Sequence, residues 1–174
     1  RRITATPFHS FVIRRDNCIV PVEGASLRAG ERLPVLRNLS LAAEANAHSV
    51  NAKEVLQARL KHMVSADGKL FAYPREGSKP MDAQLELDAQ FGWLLGIYLA
   101  EGNSTRNFVS ISNTDVSIQR QVRSFADTRG FSHNEYDNFS GFAPSHDIRI
   151  NSTLLSEFLK ATCGTSSYEK RVPQ

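Results

Sequence analysis

Phe91-Gly92-Trp93-Leu94-Leu95-Gly96-Ile97-Tyr98-Leu99-Ala100-Glu101-Gly102 is the stretch on which the reading of the chain turns. It is almost wholly apolar, follows Asp88 as an N-cap candidate, and ends at a glycine suited to the left-handed position past a helix. Gly92, Gly96 and Ala100 recur every fourth residue, so one helix face carries almost no side chains. Interior glycines cost a helix about 1 kcal/mol each against Ala. That cost makes sense where another backbone must come close. Glu101 adds a second oddity, a carboxylate at the negative end of the helix dipole, unfavourable by about 0.3–1 kcal/mol. A metal cation would reverse that sign. A buried core helix with an incidental Glu before a capping Gly is the plainer alternative.

Composition sets the frame. The 174 residues hold one domain or two small ones, and 41% hydrophobic with 9% aromatic content suits a globular core. The longest apolar run, Phe91 to Ala100, is too short to span a bilayer, so no membrane is expected. Two cysteines, Cys18 and Cys163, make no disulfide framework, and no signal peptide is visible, which points to the cytoplasm. A start at Arg1-Arg2-Ile3 without Met and an end at Pro173-Gln174 read as a fragment or a processed product. The net charge of +3 divides unevenly, +6 over residues 1–81 and −3 over 82–174. Simple DNA binding by the second half is therefore disfavoured.

Leu94 to Gly102 resembles the nine-residue LAGLIDADG signature of homing endonucleases. The resemblance implies that two such helices pack together, each delivering one acid to a metal-dependent DNA-cleaving site. It assigns Glu101 as the acid and places Gly92, Gly96 and Ala100 at the helix interface.

The first 36 residues read as β: Phe8–Ile13 and Cys18–Val22 joined across Arg14-Arg15-Asp16-Asn17, then a turn and short strand over Leu27–Val35. These pieces resemble the start of an intein splicing domain. Thr6-Pro7-Phe8-His9 matches its Thr-x-x-His motif, and Leu27–Pro34 its Leu-x-x-Gly-Asp-x-Leu/Ile-Pro segment, with Glu31 for the Asp. The resemblance implies that Thr6 and His9 support the first splicing step, His9 as general acid or base. A histidine satisfied on a strand is the alternative.

Residues 37–50 lack a period, and Asn51–Met63 is expected to be helical, with Leu56, Leu60 and Met63 in register and an Asn51/Glu54 capping box. His48 and His62 have no metal-ligand spacing; Arg59, Lys61 and Lys69 suit a solvated face. Asp67-Gly68 marks a turn, and Pro74–Pro80 a linker and boundary. From Asp82 the elements are helix (about 86–101), strand, helix capped by Thr114, hairpin and helix capped by Asn151 or Ser152. Ile148 and Ile150 face one way, Asp147, Arg149 and Asn151 the other. This approximates the αββαββα unit of one LAGLIDADG half, apart from its first strand, since only Asn103–Arg106 separates the motif from Asn107. Tyr168–Pro173 resembles the Lys-x-Ile/Val-Pro segment closing the first half in intein endonucleases, which carries an active-site role to Lys170. A solvated loop lysine is the alternative.

The expectation is an α+β chain with three parts. Residues 1–40 form a small β splicing (Hint-type) portion, 41–81 a linker region with one helix, and 82–174 a DOD-type LAGLIDADG half. The implied function is an intein-encoded homing endonuclease within a self-splicing element, cleaving double-stranded DNA with Mg²⁺ held by Glu101 and the Gly102 carbonyl. Arg106, Arg149, Asn151 and Arg171 are the DNA-contact candidates. Partners implied are double-stranded DNA, a second LAGLIDADG half (elsewhere in the chain or in a homodimer) and the host exteins. The rivals are a non-cleaving DNA-binding protein with a degenerate LAGLIDADG-like domain, and a structural α+β domain with no chemistry.

Overall fold

The computed structural model describes residues 5, 7–33, 49–74, 79–139, 145–165 and 168–173, and the chain divides into two compact units, 1–44 and 45–174. In the first, β1 (Ser10–Arg15) and β2 (Cys18–Glu23) pair antiparallel from Ser10↔Glu23 to Arg15↔Cys18. Asp16 and Asn17 form the loop with φ of 49° and 62°, the left-handed pair that matches strand twist. The expected loop over Arg14–Asn17 is therefore shorter, because a two-residue turn lets Arg14 and Arg15 stay in the ladder. Gly30, at φ 94°, returns the chain so that Arg14 N donates to Arg32 O at 2.9 Å; among the described residues, which here end at Leu33, the expected third strand is a single bridge. Glu31 closes that turn, accepting from Arg28 N at 3.0 Å and Arg15 Nη2 at 2.5 Å. Ile13 is buried, whereas Phe8 and Ile19 are 83% and 66% exposed.

The second unit is α+β. Its elements are β3 (Ser49–Asn51), α1 (Ala52–Gln57), β4 (Val64–Ala66), β5 (Lys69–Phe71), β6 (Met81–Asp82), β7 (Gln84–Glu86), α2 (Ala89–Glu101), β8 (Gly102–Ser104), β9 (Phe108–Ser112), α3 (Val116–Thr128), β10 (Ser132–Asn138), β11 (Ser145–Asn151) and α4 (Thr153–Cys163). The main sheet runs β10-β11-β9-β8; β3-β7 and β4-β5-β6 form two smaller ones, all antiparallel. Residues 89–163 thus follow the order α-β-β-α-β-β-α, with a three-residue first strand that opens at Gly102 itself. Unrelated folds share such orders, so this shows the α+β class and neither the Hint-type nor the LAGLIDADG architecture.

Local chemistry explains most boundaries. Asp88 caps α2 by accepting from Phe91 N at 2.7 Å, and Ser152 caps α4 by accepting from Leu155 N at 3.1 Å. The cap of α3 is Asp115, whose carboxylate accepts from Ser117 N at 2.7 Å, one residue beyond the expected Thr114. Asn51 caps α1 as expected, with its amide donating to Glu54 at 2.8 Å, but α1 stops at Gln57 instead of reaching Met63. Leu60 N still donates to Leu56 O, so the apolar spacing is met by a turn.

Val109, Ile111, Ile148 and Ile150 cover the inner sheet face and meet Phe91, Leu94 and Tyr98 of α2, Val122 and Phe125 of α3, and Leu155, Phe158 and Leu159 of α4 in one cluster. Ala52, Leu56, Leu70, Ala72, Met81 and Leu85 belong to the same cluster, so described residues on both sides of Pro74–Pro80 share one core. Among the described residues no helix is long and apolar enough to cross a membrane. Gly92, Gly96 and Ala100 form an exposed stripe, and a Cβ added at either glycine meets nothing within 4 Å. Replacing both glycines with Ala is expected to stabilise the chain by about 1–2 kcal/mol in total, through helix propensity alone. A drop in the urea midpoint of the double variant would show that something rests on that stripe.

Candidate functional site

The C-terminal end of α2 gathers three sequence-selected residues. Gly102 is extended (φ −81°, ψ 156°) and not left-handed as expected: the chain passes directly from α2 into β8, with Gly102 N donating to Tyr98 O. Lys170 Nζ donates to Tyr98 O at 2.8 Å and to Gly102 O at 2.6 Å. It lies 5.0 Å from the Tyr98 ring centroid. A cation thus sits on the carbonyls where the helix dipole is negative, which offsets the unfavourable charge of Glu101 nearby. Glu101 itself is exposed.

Tyr98 anchors this corner. It is fully buried, and its hydroxyl donates to Gly164 O at 2.9 Å. Arg171 N donates to Cys163 O at 2.8 Å, tying the Lys170 segment to α4, while the Arg171 residue is exposed. Gly164 turns at φ 90°, and any Cβ there would strike the Glu169 carbonyl. Burial pushes the Tyr98 phenol and the Cys163 thiol up and the Lys170 ammonium down from their ordinary values. As a Mg²⁺ site the arrangement fits poorly. It offers one exposed carboxylate beside a carbonyl already holding an ammonium, and no group of three or more His, Cys, Asp or Glu among the described residues could hold a metal. No step is routed through Mg²⁺.

The outer sheet face holds Arg149 and Asn151, and Arg106 lies in the loop between β8 and β9. Arg149 lies between two aromatic rings, 4.9 Å from the Phe108 centroid and 4.1 Å from Tyr136. Asn151 Nδ2 donates to Asn134 Oδ1 at 2.6 Å, and Arg106 Nη2 to the Tyr73 hydroxyl at 3.2 Å. The alternation placed Arg149 and Asn151 away from the core, as observed, but both engage neighbouring strands of their own sheet. Of the splicing candidates, Thr6 lies outside the described residues. His9 is exposed, its ring edge-on to Phe11 at 5.1 Å and its carbonyl accepting from Gly24 N at 2.8 Å.

Sequence reasoning missed a polar cluster between β10, β11 and α3. His146 bonds through Nδ1 to Asp137 at 2.7 Å and through Nε2 to Glu135 at 2.8 Å. Arg123 of α3 holds Glu135 with a two-pronged pair at 2.7 and 2.8 Å. His133 lies 3.5 Å from Asp127 and 3.9 Å from Glu135. The alternation His133, Glu135, Asp137 on one strand, with His146 on the next, was the available signal. The two carboxylates hold the His146 imidazolium above its ordinary 6.5, and Arg123 holds Glu135 at about 2 instead of 4.5. The stability from His146 is complete below 6.5 and is lost as pH rises through its raised pKa. That from Glu135 is complete above 4.5 and is lost as pH falls towards about 2. The thermal midpoint is therefore expected to peak between about pH 4.5 and 6.5, and His146→Asn should remove the decline that begins just above pH 6.5. A variant with the parent's alkaline slope would exclude His146 as its source.

No protein-family model matches the chain. It is 45% identical over 175 residues to the DNA-directed RNA polymerase subunit Rpo1C of Methanocaldococcus jannaschii. That relative is named as a polymerase subunit, and this overturns the expectation of an intein with a LAGLIDADG homing endonuclease. With it go metal-dependent DNA cleavage, autocatalytic splicing, and the second endonuclease half and exteins as partners. The non-cleaving DNA-binding alternative is not supported either. Nine-residue signatures recur by chance, and Thr-x-x-His is shorter still. The match covers 100% of this chain and 19% of the relative, so the chain spans about a fifth of the length of the curated protein it resembles.

Proposed function

We propose that this chain is a structural module carried within a protein related to a DNA-directed RNA polymerase subunit. The identity of 45% along the whole chain carries this reading. The polar groups singled out by the sequence support a structural role: Lys170 holds the end of α2, His146 joins two strand carboxylates, and Arg149 stacks on its own sheet. The exposed Phe8 and Ile19 of the first unit favour packing against further parts of a longer protein or its assembly. Its partners in this reading are the other chains of such an assembly, in the cytoplasm, and any part in RNA synthesis comes through them.

The test is to fractionate the polymerase from cells expressing the full-length parent and to map its peptides by mass spectrometry. Peptides from residues 82–174 are expected in the polymerase fractions, in proportion to the other chains. Recovery of this segment as a product separate from the assembly overturns the reading.

A further inference from the structure

We propose that a cavity beside the N-terminal half of α2, bounded by β5, β6, β7 and the end of α3, binds a small aromatic carboxylate. The inference is independent of the polymerase relationship. The cavity measures about 240 Å³. That is below the roughly 300–1,000 Å³ of drug-sized pockets and suits one ring with a short arm.

Its apolar wall includes three phenylalanines. Phe125 and Phe131 stack with centroids 6.3 Å apart, and Phe91 and Phe125 are tilted at 6.2 Å. A guest ring can meet both edges and faces there.

The polar wall is Arg129. Its side chain is 17% exposed, its Nη2 donates to Asp88 Oδ2 at 2.6 Å, and its buried Nε has no hydrogen-bond partner among the described residues. Asp88 is shared, because Oδ1 caps α2 on Phe91 N. A guanidinium has five N–H donors in a fixed fork, so this one is under-satisfied, and a carboxylate is the matching acceptor. Lys69 stands at the mouth, paired with Asp82 at 2.6 Å, with side chains 48% and 49% exposed. Such exposed pairs contribute at most about 1 kcal/mol, so the ammonium is free to turn towards an anionic guest. Gly130, in the left-handed conformation at φ 70°, also lines the cavity. A protonated amine offers Arg129 Nε no acceptor, and a hydroxyl offers only an uncharged one.

The experiment is a heteronuclear NMR titration of the 174-residue chain with phenylacetate, benzyl alcohol and benzylamine. Phenylacetate is expected to give saturable shifts centred on Phe125, Phe131 and Arg129, and to bind at least tenfold more tightly than either analogue. Arg129→Lys, which keeps the charge and removes the fork, should weaken binding about tenfold, as loss of a two-pronged carboxylate contact implies. Lys69→Met, at an exposed position that leaves the core intact, should weaken it several-fold. The proposal is overturned by an absence of saturable shifts up to about 10 mM, weaker than any Kd of physiological use. Shifts centred elsewhere overturn it too, as does equal affinity for the three compounds. Unchanged affinity in Lys69→Met together with unchanged affinity or loss of fold in Arg129→Lys also counts against it.

Discussion

Phe158→Ala is expected to lower the folding stability of the chain by about 3–5 kcal/mol. Phe158 is 3% exposed in α4, its ring 6.1 Å from Phe91 of α2 at 63°, and Leu159 beside it is fully buried. Truncation removes the transfer energy of a whole ring. It also leaves a void that α2 and the sheet cannot close without moving the caps at Asp88 and Ser152. Domains are stable by only about 5–15 kcal/mol, so the loss is a large share of the total. Urea unfolding followed by circular dichroism should show a lower midpoint at an unchanged slope. Phe8→Ala is the control: at 83% exposure it should change stability by less than about 0.5 kcal/mol. A Phe158→Ala variant that also stayed within about 0.5 kcal/mol of the parent would remove α4 from the core.

Gly102→Ala is the second large effect, a loss of about 2–3 kcal/mol at the upper end of ordinary overpacking. A Cβ there would lie 2.5 Å from Tyr98 Cδ2, 2.6 Å from Tyr98 Cα and 2.7 Å from Tyr98 O. Two of those atoms are backbone, so no side-chain rotation relieves the clash. The glycine is needed for close approach and not for its φ. The same motif also contains Gly96, where Ala is expected to stabilise, so two glycines six residues apart should respond with opposite signs. Any shift of Tyr98 O also moves an acceptor of Lys170. Gly102→Ala and Lys170→Met should therefore be non-additive by at least about 0.5 kcal/mol in a double-mutant cycle. Strict additivity would mean that Lys170 does not hold these carbonyls in solution.

The signature stretch shows how far a motif carries. Its helix and its N-cap form, because they depend on residues a few positions apart, whereas Gly102 ends the helix extended and not left-handed. Its function did not follow, because the plainer demands of folding account for the same residues. Gly102 makes room for Tyr98, and Lys170 neutralises a helix end. The relative matched along the full chain is named as an RNA polymerase subunit, and a few apolar and small residues were too short a pattern to carry the nuclease reading.

What the sequence by itself determined is local. The Asp16-Asn17 turn, the caps at Asn51 and Asp88, a cap for α4 at Asn151 or Ser152, and the alternation that turns Ile148 and Ile150 inward are set by contacts within about four residues or by side-chain period. Only the tertiary structure decided the long-range pairs. It brings Ser49 opposite Glu86, joins Arg59 to Glu157 at 3.0 Å, and lays Lys170 on a carbonyl 72 residues away. It also sets Arg129 under-satisfied beside a ring-lined cavity. These choices depend on which faces meet when the core closes. That is settled by the sum of many buried contacts, a quantity that no single stretch of the chain contains.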